Sequence, residues 1–148
     1  MGTLVKAVEE AKLLRVVSEV GDEMFRQLEL WGEQNHPLLD DRSYNLFEAI
    51  ASGDCETPEE IAATAKDICG VRAETGRLDW NSIFLEEVAE AYEAMSNGDN
   101  AAAREELIQV AAVALSAVQS LDRQTNRCPV CGSLHGEHKM SCYTQTRK

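Results

Sequence analysis

Aromatic residues, prolines and long apolar stretches are all scarce in this chain of 148 residues. Only 5% of the residues are aromatic and three are prolines, whereas a hydrophobic share of 44% is ordinary for a globular domain. The longest apolar stretch, residues 107–118, is interrupted by Gln109 and is too short for a membrane helix. No stretch is typical of a signal peptide. We therefore expect one globular domain that does not associate with a membrane.

Cysteines are few, and their spacing does not resemble a secreted disulfide framework. Cys55 and Cys69 are isolated, and the other three cysteines lie close together near the C-terminus. This pattern favours a reducing, cytoplasmic setting in which Cys55 and Cys69 are buried small apolar groups.

Positive charge is scarce outside the C-terminal tail. Residues 1–122 contain 9 Lys/Arg and 25 Asp/Glu, a net charge of −16, whereas residues 123–148 contain 5 and 1, a net charge of +4. An acidic body of this kind argues against a broad nucleic-acid surface there, whereas the basic tail could contact an anion or lie against the body. We expect a domain over residues 1–122 and a separate basic tail over residues 123–148.

Strand signals are nearly absent, so the predicted class is an all-α helical bundle. A long first helix is indicated by apolar residues that advance by threes and fours, namely Leu4, Val8, Ala11, Leu14, Val17, Val20, Met24, Leu28 and Trp31. Thr57, Pro58 and Glu60 predict the start of another helix through a capping box. The expected helices span residues 4–31, 44–51, 57–75, 80–96 and 101–124.

Two acidic patches lie on the last two predicted helices, which a short turn makes antiparallel neighbours. They read Glu86-Glu87-Val88-Ala89-Glu90 and Glu105-Glu106-Leu107-Ile108-Gln109. Helical spacing places Glu87, Glu90 and Glu106 on the same faces as buried apolar residues. Because unpaired buried carboxylates are very unfavourable, the pattern predicts a shared hard cation such as magnesium. The alternative is an ordinary solvated acidic helix pair.

The paired acidic patches resemble the signature of the MazG-like all-α nucleoside triphosphate pyrophosphohydrolases. The resemblance extends to an actinobacterial and phage-type branch through Arg26-Gln27, the stretch Trp31-Gly32-Glu33-Gln34-Asn35-His36-Pro37, and residues 104–114. It covers about residues 10–122. Gln109 stands where many members have Asp, and a neutral amide offers a metal one oxygen without a charge.

The resemblance implies a Mg²⁺-dependent (or Mn²⁺-dependent) enzyme that cleaves a (deoxy)nucleoside triphosphate into the monophosphate and pyrophosphate. Glu87, Glu90 and Glu106 would bind the metal, with Gln109 completing the shell or binding a coordinated water. Glu86 would be a further ligand or the base for the attacking water. A homodimer or homotetramer is expected by the same resemblance.

Six further residues are candidate substrate contacts, each with a simpler structural alternative: Arg26, Gln27, Trp31, Asn35, Lys66 and Arg77. Arg26 and Gln27 would contact phosphate or base, and Trp31 would stack on the base, although a core position is favoured slightly for Trp31. Asn35, with His36, would line the base pocket or form the turn before a proline. Lys66 and Arg77, like Arg72, would contact phosphates or be solvated.

The tail carries a second candidate site, a Cys-x-x-Cys pair followed by histidine and cysteine. These are four zinc ligands of the expected chemistry: Cys128, Cys131, His138 and Cys142, with His135 as the alternative histidine. A flexible tail with free thiols is the other interpretation.

The sequence thus supports three functions: a pyrophosphohydrolase, a nucleotide sensor that has lost turnover, and an adapter that binds through a zinc-ordered tail.

Overall fold

The computed structural model describes residues 2–40 and 44–125, and all regular structure in these residues is helical. The five helices are α1 (Gly2–Trp31), α2 (Leu46–Ser52), α3 (Pro58–Glu74), α4 (Trp80–Ser96) and α5 (Asn100–Gln124). The predicted all-α class is confirmed for this part of the chain. The predicted zinc ligands of the tail lie outside the described residues. No helix in the described ranges is both long and apolar enough to cross a membrane.

Side-chain caps set the helix starts. Thr57 accepts a hydrogen bond from the amide of Glu60, whose carboxylate in turn accepts one from Thr57, so the predicted capping box is present. Asn45 caps α2 in the same way, which moves its start from the predicted residue 44 to Leu46. The turns after α1 and α3 pass through Gly32 and Gly76 at positive φ, a backbone conformation that glycine adopts without steric cost.

The helices α4 and α5 form an antiparallel hairpin on which the other helices pack. Their connection includes Gly98 at a φ of 71°, α3 packs on α4, α2 on α3, and α1 on α5. The core between α2, α3 and α4 is formed mostly of small side chains, namely Leu46, Ala49, Cys55, Ala62, Ala65 and Ala89. Cys55 and Cys69 are buried free thiols, as expected.

A buried ion pair fixes the connection after α1 to the rest of the bundle. Arg72 of α3 donates to Asp79 at 2.8 Å, and the two side chains are 3% and 0% exposed. Asp79 also caps α4 by accepting from the amide of Ser82 at 2.7 Å, and it accepts from the amide of Asp40 at 2.6 Å. Arg72 is therefore a structural residue, and its interpretation as a phosphate contact is wrong.

The apolar row of α1 is mostly exposed, contrary to a core role. Val20 is buried, but every residue from Gly2 to Ser18 is exposed. Trp31 is 69% exposed, so the favoured core position for it is wrong. The spacing of the row predicted the helix correctly. It could not show whether the same chain supplies a surface to cover it.

Candidate metal centre

Three carboxylates meet between α4 and α5 where the hairpin brings the two acidic patches side by side. One oxygen from each of Glu87, Glu90 and Glu106 lies within 4.8 Å of the others. The faces that carry them are anchored by buried small residues, Ala91 on α4 and Ala103 and Val113 on α5. We call Glu87, Glu90 and Glu106 the acidic trio. The geometry matches the convergence expected from the sequence.

Burial and repulsion from neighbouring carboxylates raise the pKa of all three carboxyls. The pKa of Glu87 is raised to about 7, first by burial and then by Glu90 and Glu106. Burial is also the main cause for Glu90 and Glu106. One oxygen of Glu87, Oε2, is buried without a hydrogen-bond partner among the described residues. A buried acceptor without a donor, beside two further carboxylates, fits the chemistry of a divalent cation site.

A fourth carboxylate, Glu23 of α1, lies close to the trio and was not predicted. Its charge contributes to the raised pKa of both Glu87 and Glu106. Its own pKa is lowered, chiefly by the hydrogen bond from Arg26, and Gln27 also donates to it at 2.9 Å. No local sequence signal identified Glu23, because only the tertiary structure shows that the face of α1 carrying Val20 and Glu23 meets α5. Arg26 and Gln27 are thus brought to the edge of the site through Glu23.

Gln109 and Glu86 lie on either side of the trio and contact it differently. The amide nitrogen of Gln109 donates to Glu106 at 2.9 Å, so Gln109 orients one of the three carboxylates. Glu86 accepts a hydrogen bond from the thiol of Cys69, on α3. Burial and this carboxylate raise the pKa of that thiol, which keeps Cys69 protonated. Glu86 therefore stands beside the trio rather than within it.

The remaining predicted substrate contacts are divided between the site and the far end of the bundle. Lys66 of α3 faces Glu90, and its positive charge opposes the rise in that carboxyl's pKa. Arg77 pairs with Asp40 at 3.3 Å, in the connection that precedes α2. Asn35 accepts from Arg123 at 2.9 Å, and Arg123 lies about 25 Å from Glu106 along α5 at about 1.5 Å per residue. The structure brings Lys66 to the trio but neither Arg77 nor Asn35.

A groove of about 400 Å³ lies between the C-terminal halves of α1 and α5, with Trp80 in its wall. It is lined by the amide side chains of Gln27 on α1, Gln34 in the connection that follows α1, and Gln119 on α5. Trp80 is 5% exposed, and its indole N–H has no partner among the described residues. Trp80 precedes Glu87 by two helical turns, about 10 Å. The groove is therefore a short distance from the trio and offers donors, acceptors and an aromatic wall.

His36 completes the buried polar groups at this end of α4. Its ring meets that of Trp80 edge to face, with centroids 5.4 Å apart. Burial lowers the pKa of His36, so the ring is neutral at pH 7, and Nε2 lacks a partner in the described part of the chain. The sequence left His36 either lining a base pocket or forming the turn before Pro37, and the aromatic ring that it contacts is that of Trp80 rather than Trp31.

The raised carboxyl pKa values predict an unusual dependence of stability on pH in metal-free protein. The folded state holds a proton on Glu87 that the unfolded chain releases between pH 4.5 and about 7. The raised pKa of Glu87 therefore stabilises the folded state fully below pH 4.5, and this stabilisation is lost as the pH rises through about 7. Urea denaturation at about pH 5.5 and at about pH 8, without divalent cations, gives the free energy of unfolding at each pH. This free energy should fall less between the two pH values for Glu87→Gln than for the wild type. An identical loss in both proteins would contradict the raised pKa.

Comparison of the chain with protein-family models, with curated proteins and with solved structures finds no match.

Proposed function

We propose that this protein is a divalent-metal-dependent nucleoside triphosphate pyrophosphohydrolase of the MazG-like type. The observation that carries the proposal is the acidic trio, three partly buried carboxylates with raised pKa values and one buried oxygen without a donor. Such a cluster is unfavourable unless a cation neutralises it. The resemblance of the two helical patches to that family supplies the reaction, which the trio alone does not specify.

The trio would hold the metal, preferably Mg²⁺, through the carboxylate oxygens of Glu87, Glu90 and Glu106. When bound, the ion would neutralise phosphate charge and lower the pKa of a water molecule. Glu23 adds negative charge at the rim and is itself held by Arg26 and Gln27.

The side chains around the trio divide into those suited to phosphates and those suited to a nucleoside. Lys66, whose charge acts on Glu90, and Arg26, which donates to Glu23, would bind the phosphate oxygens. The groove beside Trp80 would take the base, because its amides can pair with donors and acceptors on a ring edge. Its distance from the trio suits a nucleotide whose phosphates lie at the metal.

Hydrolysis breaks the bond between the α and β phosphates and consumes one water, so a base must accept a proton. Glu86 is suited to this role because it lies next to the trio on α4 without belonging to it. The thiol of Cys69 would hold its carboxylate in position. Release of pyrophosphate from a panel of nucleoside triphosphates with Mg²⁺ tests the proposal. Absence of pyrophosphate with every base and both sugars would contradict it.

A nucleotide sensor without turnover is the second candidate, and Gln109 is the residue that favours it. Its amide donates to Glu106 and so takes up part of one carboxylate's capacity to bind a metal. A site with a glutamine here has one negative charge fewer than a site with four acids. Tight binding of a triphosphate with no pyrophosphate released would distinguish this function from hydrolysis.

Gln109→Asp should tighten binding of Mg²⁺ in the absence of nucleotide. The added carboxylate increases the attraction for a cation, whereas in the wild type the triphosphate must supply the missing oxygens. Magnesium and nucleotide should consequently bind with positive coupling in the wild type and with weaker coupling in the variant. Calorimetry with Mg²⁺, with and without a non-hydrolysable triphosphate, measures both quantities. Equal Mg²⁺ affinity in the two proteins would place Gln109 outside the metal's ligands.

A further inference from the structure

The groove beside Trp80 has an apolar wall that the described residues leave uncovered. Phe25 and Leu28 of α1 line this wall and are 68% and 50% exposed. Trp80 also lines the groove, and its buried indole N–H has no acceptor among the described residues. Buried donors nearly always have a hydrogen-bond partner. The apolar wall and the unpaired donor together indicate that the groove holds something from outside residues 2–40 and 44–125.

The C-terminal end of α5 is fixed at one end of this groove. Arg123 lines the groove and donates to the carbonyl of Gln34 at 3.0 Å. Gln124, the last residue of α5, donates to the carbonyl of His36 at 2.9 Å. Residues 126–148, which we call the terminal segment, therefore begin next to the groove and far from the acidic trio.

The terminal segment is long enough to fill the groove and has apolar side chains to place in it. It contains 23 residues. The wall formed by α5 extends from Ser116 to Arg123, about 10 Å at 1.5 Å per residue, a distance that about four extended residues cover. A segment this short does not bury its apolar side chains by itself. Four such side chains need a surface, and the groove is the one at which the segment begins: Val130, Leu134, Met140 and Tyr143.

The charge of the terminal segment is complementary to this end of the groove. Glu33 lines the groove with a side chain that is 61% exposed, and its ion pair with Arg123 is long, at 3.5 Å. Glu29, one helical turn before it, is exposed as well. The terminal segment contains four Lys/Arg and one Asp/Glu, a net charge of +3, and its first cation, Arg127, follows α5 by three residues. Opposite charges at this separation attract each other.

We propose that the terminal segment docks into the groove beside Trp80 of its own chain. Arg127 pairs with Glu33, the apolar side chains of the segment cover Phe25 and Leu28, and a backbone carbonyl accepts the hydrogen bond of Trp80. A nucleoside that enters the same groove must displace the segment, so the segment competes with the substrate. This competition rests on the proposed function, whereas the docking itself does not.

Tryptic cleavage after Arg127 in the full chain tests the docking. Phe25→Glu should accelerate this cleavage about fivefold or more, because proteolysis follows the population in which the segment is free. Leu14→Glu is the matched control, since Leu14 is 67% exposed but lies about 16 Å from Phe25 along α1. Cleavage after Lys66, in α3, reports opening of the whole fold and should not change in either variant. Equal acceleration by the two substitutions overturns the proposal.

A second pair of variants tests the charge complementarity without changing an apolar contact. Glu33→Gln should accelerate cleavage after Arg127 about twofold at low salt, and about 0.5 M salt should remove the difference by screening. Glu9→Gln is the control, because the side chain of Glu9 is 63% exposed, close to the 61% of Glu33, and lies on the far half of α1. Equal cleavage rates in these two variants contradict the pairing of Arg127 with Glu33 and overturn the proposal.

Protein concentration and nucleotide distinguish the other occupants of the groove. The wild-type cleavage rate should not depend on protein concentration, since segment and groove belong to one chain. A rate that rises on dilution would mean that the segment comes from another copy, which overturns docking within the chain. A non-hydrolysable triphosphate with Mg²⁺ should accelerate the cleavage, and calorimetric binding without acceleration overturns the competition. A protein that hydrolyses no nucleotide but shows the expected cleavage pattern supports the docking and contradicts only the proposed function.

Discussion

Magnesium-dependent pyrophosphate release is expected to fall by more than about 100-fold when Glu87 or Glu106 is replaced by glutamine. Even the outer partners of metal ligands commonly contribute about 10–100-fold, and these residues would bind the ion directly. The loss should be accompanied by a fold at least as stable as that of the metal-free wild type, because each substitution removes repulsion within the trio. Turnover is measured with saturating Mg²⁺, and stability by thermal denaturation in chelator.

Glu105→Gln provides the control for this experiment. It makes the same chemical change next to Glu106, but Glu105 is exposed and lies outside the trio. Its turnover should stay within about threefold of the wild type, as expected for a surface charge that affects the site only through screened electrostatics. Unchanged turnover in both trio variants would show that the acidic trio is not the metal centre. A loss in Glu105→Gln as large as in Glu106→Gln would point to charge in general rather than to ligation.

Replacing Asp79 by alanine should lower the free energy of unfolding by about 3–5 kcal/mol, the range found when one partner of a buried ion pair is removed. Arg72, only 3% exposed, would lose its 2.8 Å ion pair with that carboxylate and remain buried. The amides of Asp40 and Ser82 would lose their shared acceptor at the same time. Urea denaturation followed by circular dichroism gives the difference in free energy.

Asp99→Ala separates the capping role of Asp79 from its buried charge. Both aspartates cap a helix, and Asp99 accepts from the amide of Ala102 at 3.0 Å in an exposed position. Loss of an exposed cap alone should lower the free energy of unfolding by about 1 kcal/mol. Equal effects of the two substitutions would mean that the buried pair with Arg72 contributes nothing beyond the cap.

Local chemistry made the helices and the acidic trio predictable. The capping box at Thr57 needs only residues three positions apart, and the spacing of Glu87 and Glu90 fixes their shared face because a helix has one period. The short turn at residues 97–99 makes α4 and α5 neighbours, so Glu106 could be placed beside them. By contrast, Glu23 comes from a helix more than sixty residues away, and no local pattern shows which side of α1 meets α5.

By itself, the sequence determined the helical class, the caps and the convergence of two acidic patches, all of which depend on short-range periodicity. The tertiary structure alone decided which apolar rows are covered and which basic side chains are held in buried ion pairs. It buried Arg72 with Asp79, placed Trp80 rather than Trp31 at the groove, and left most of the large apolar side chains of α1 exposed. Each of these outcomes depends on which segments that are distant in the sequence lie close together in space. Amphipathic spacing predicts that a helix has an apolar face that packs against another surface. Only the tertiary structure shows whether the same chain provides that surface.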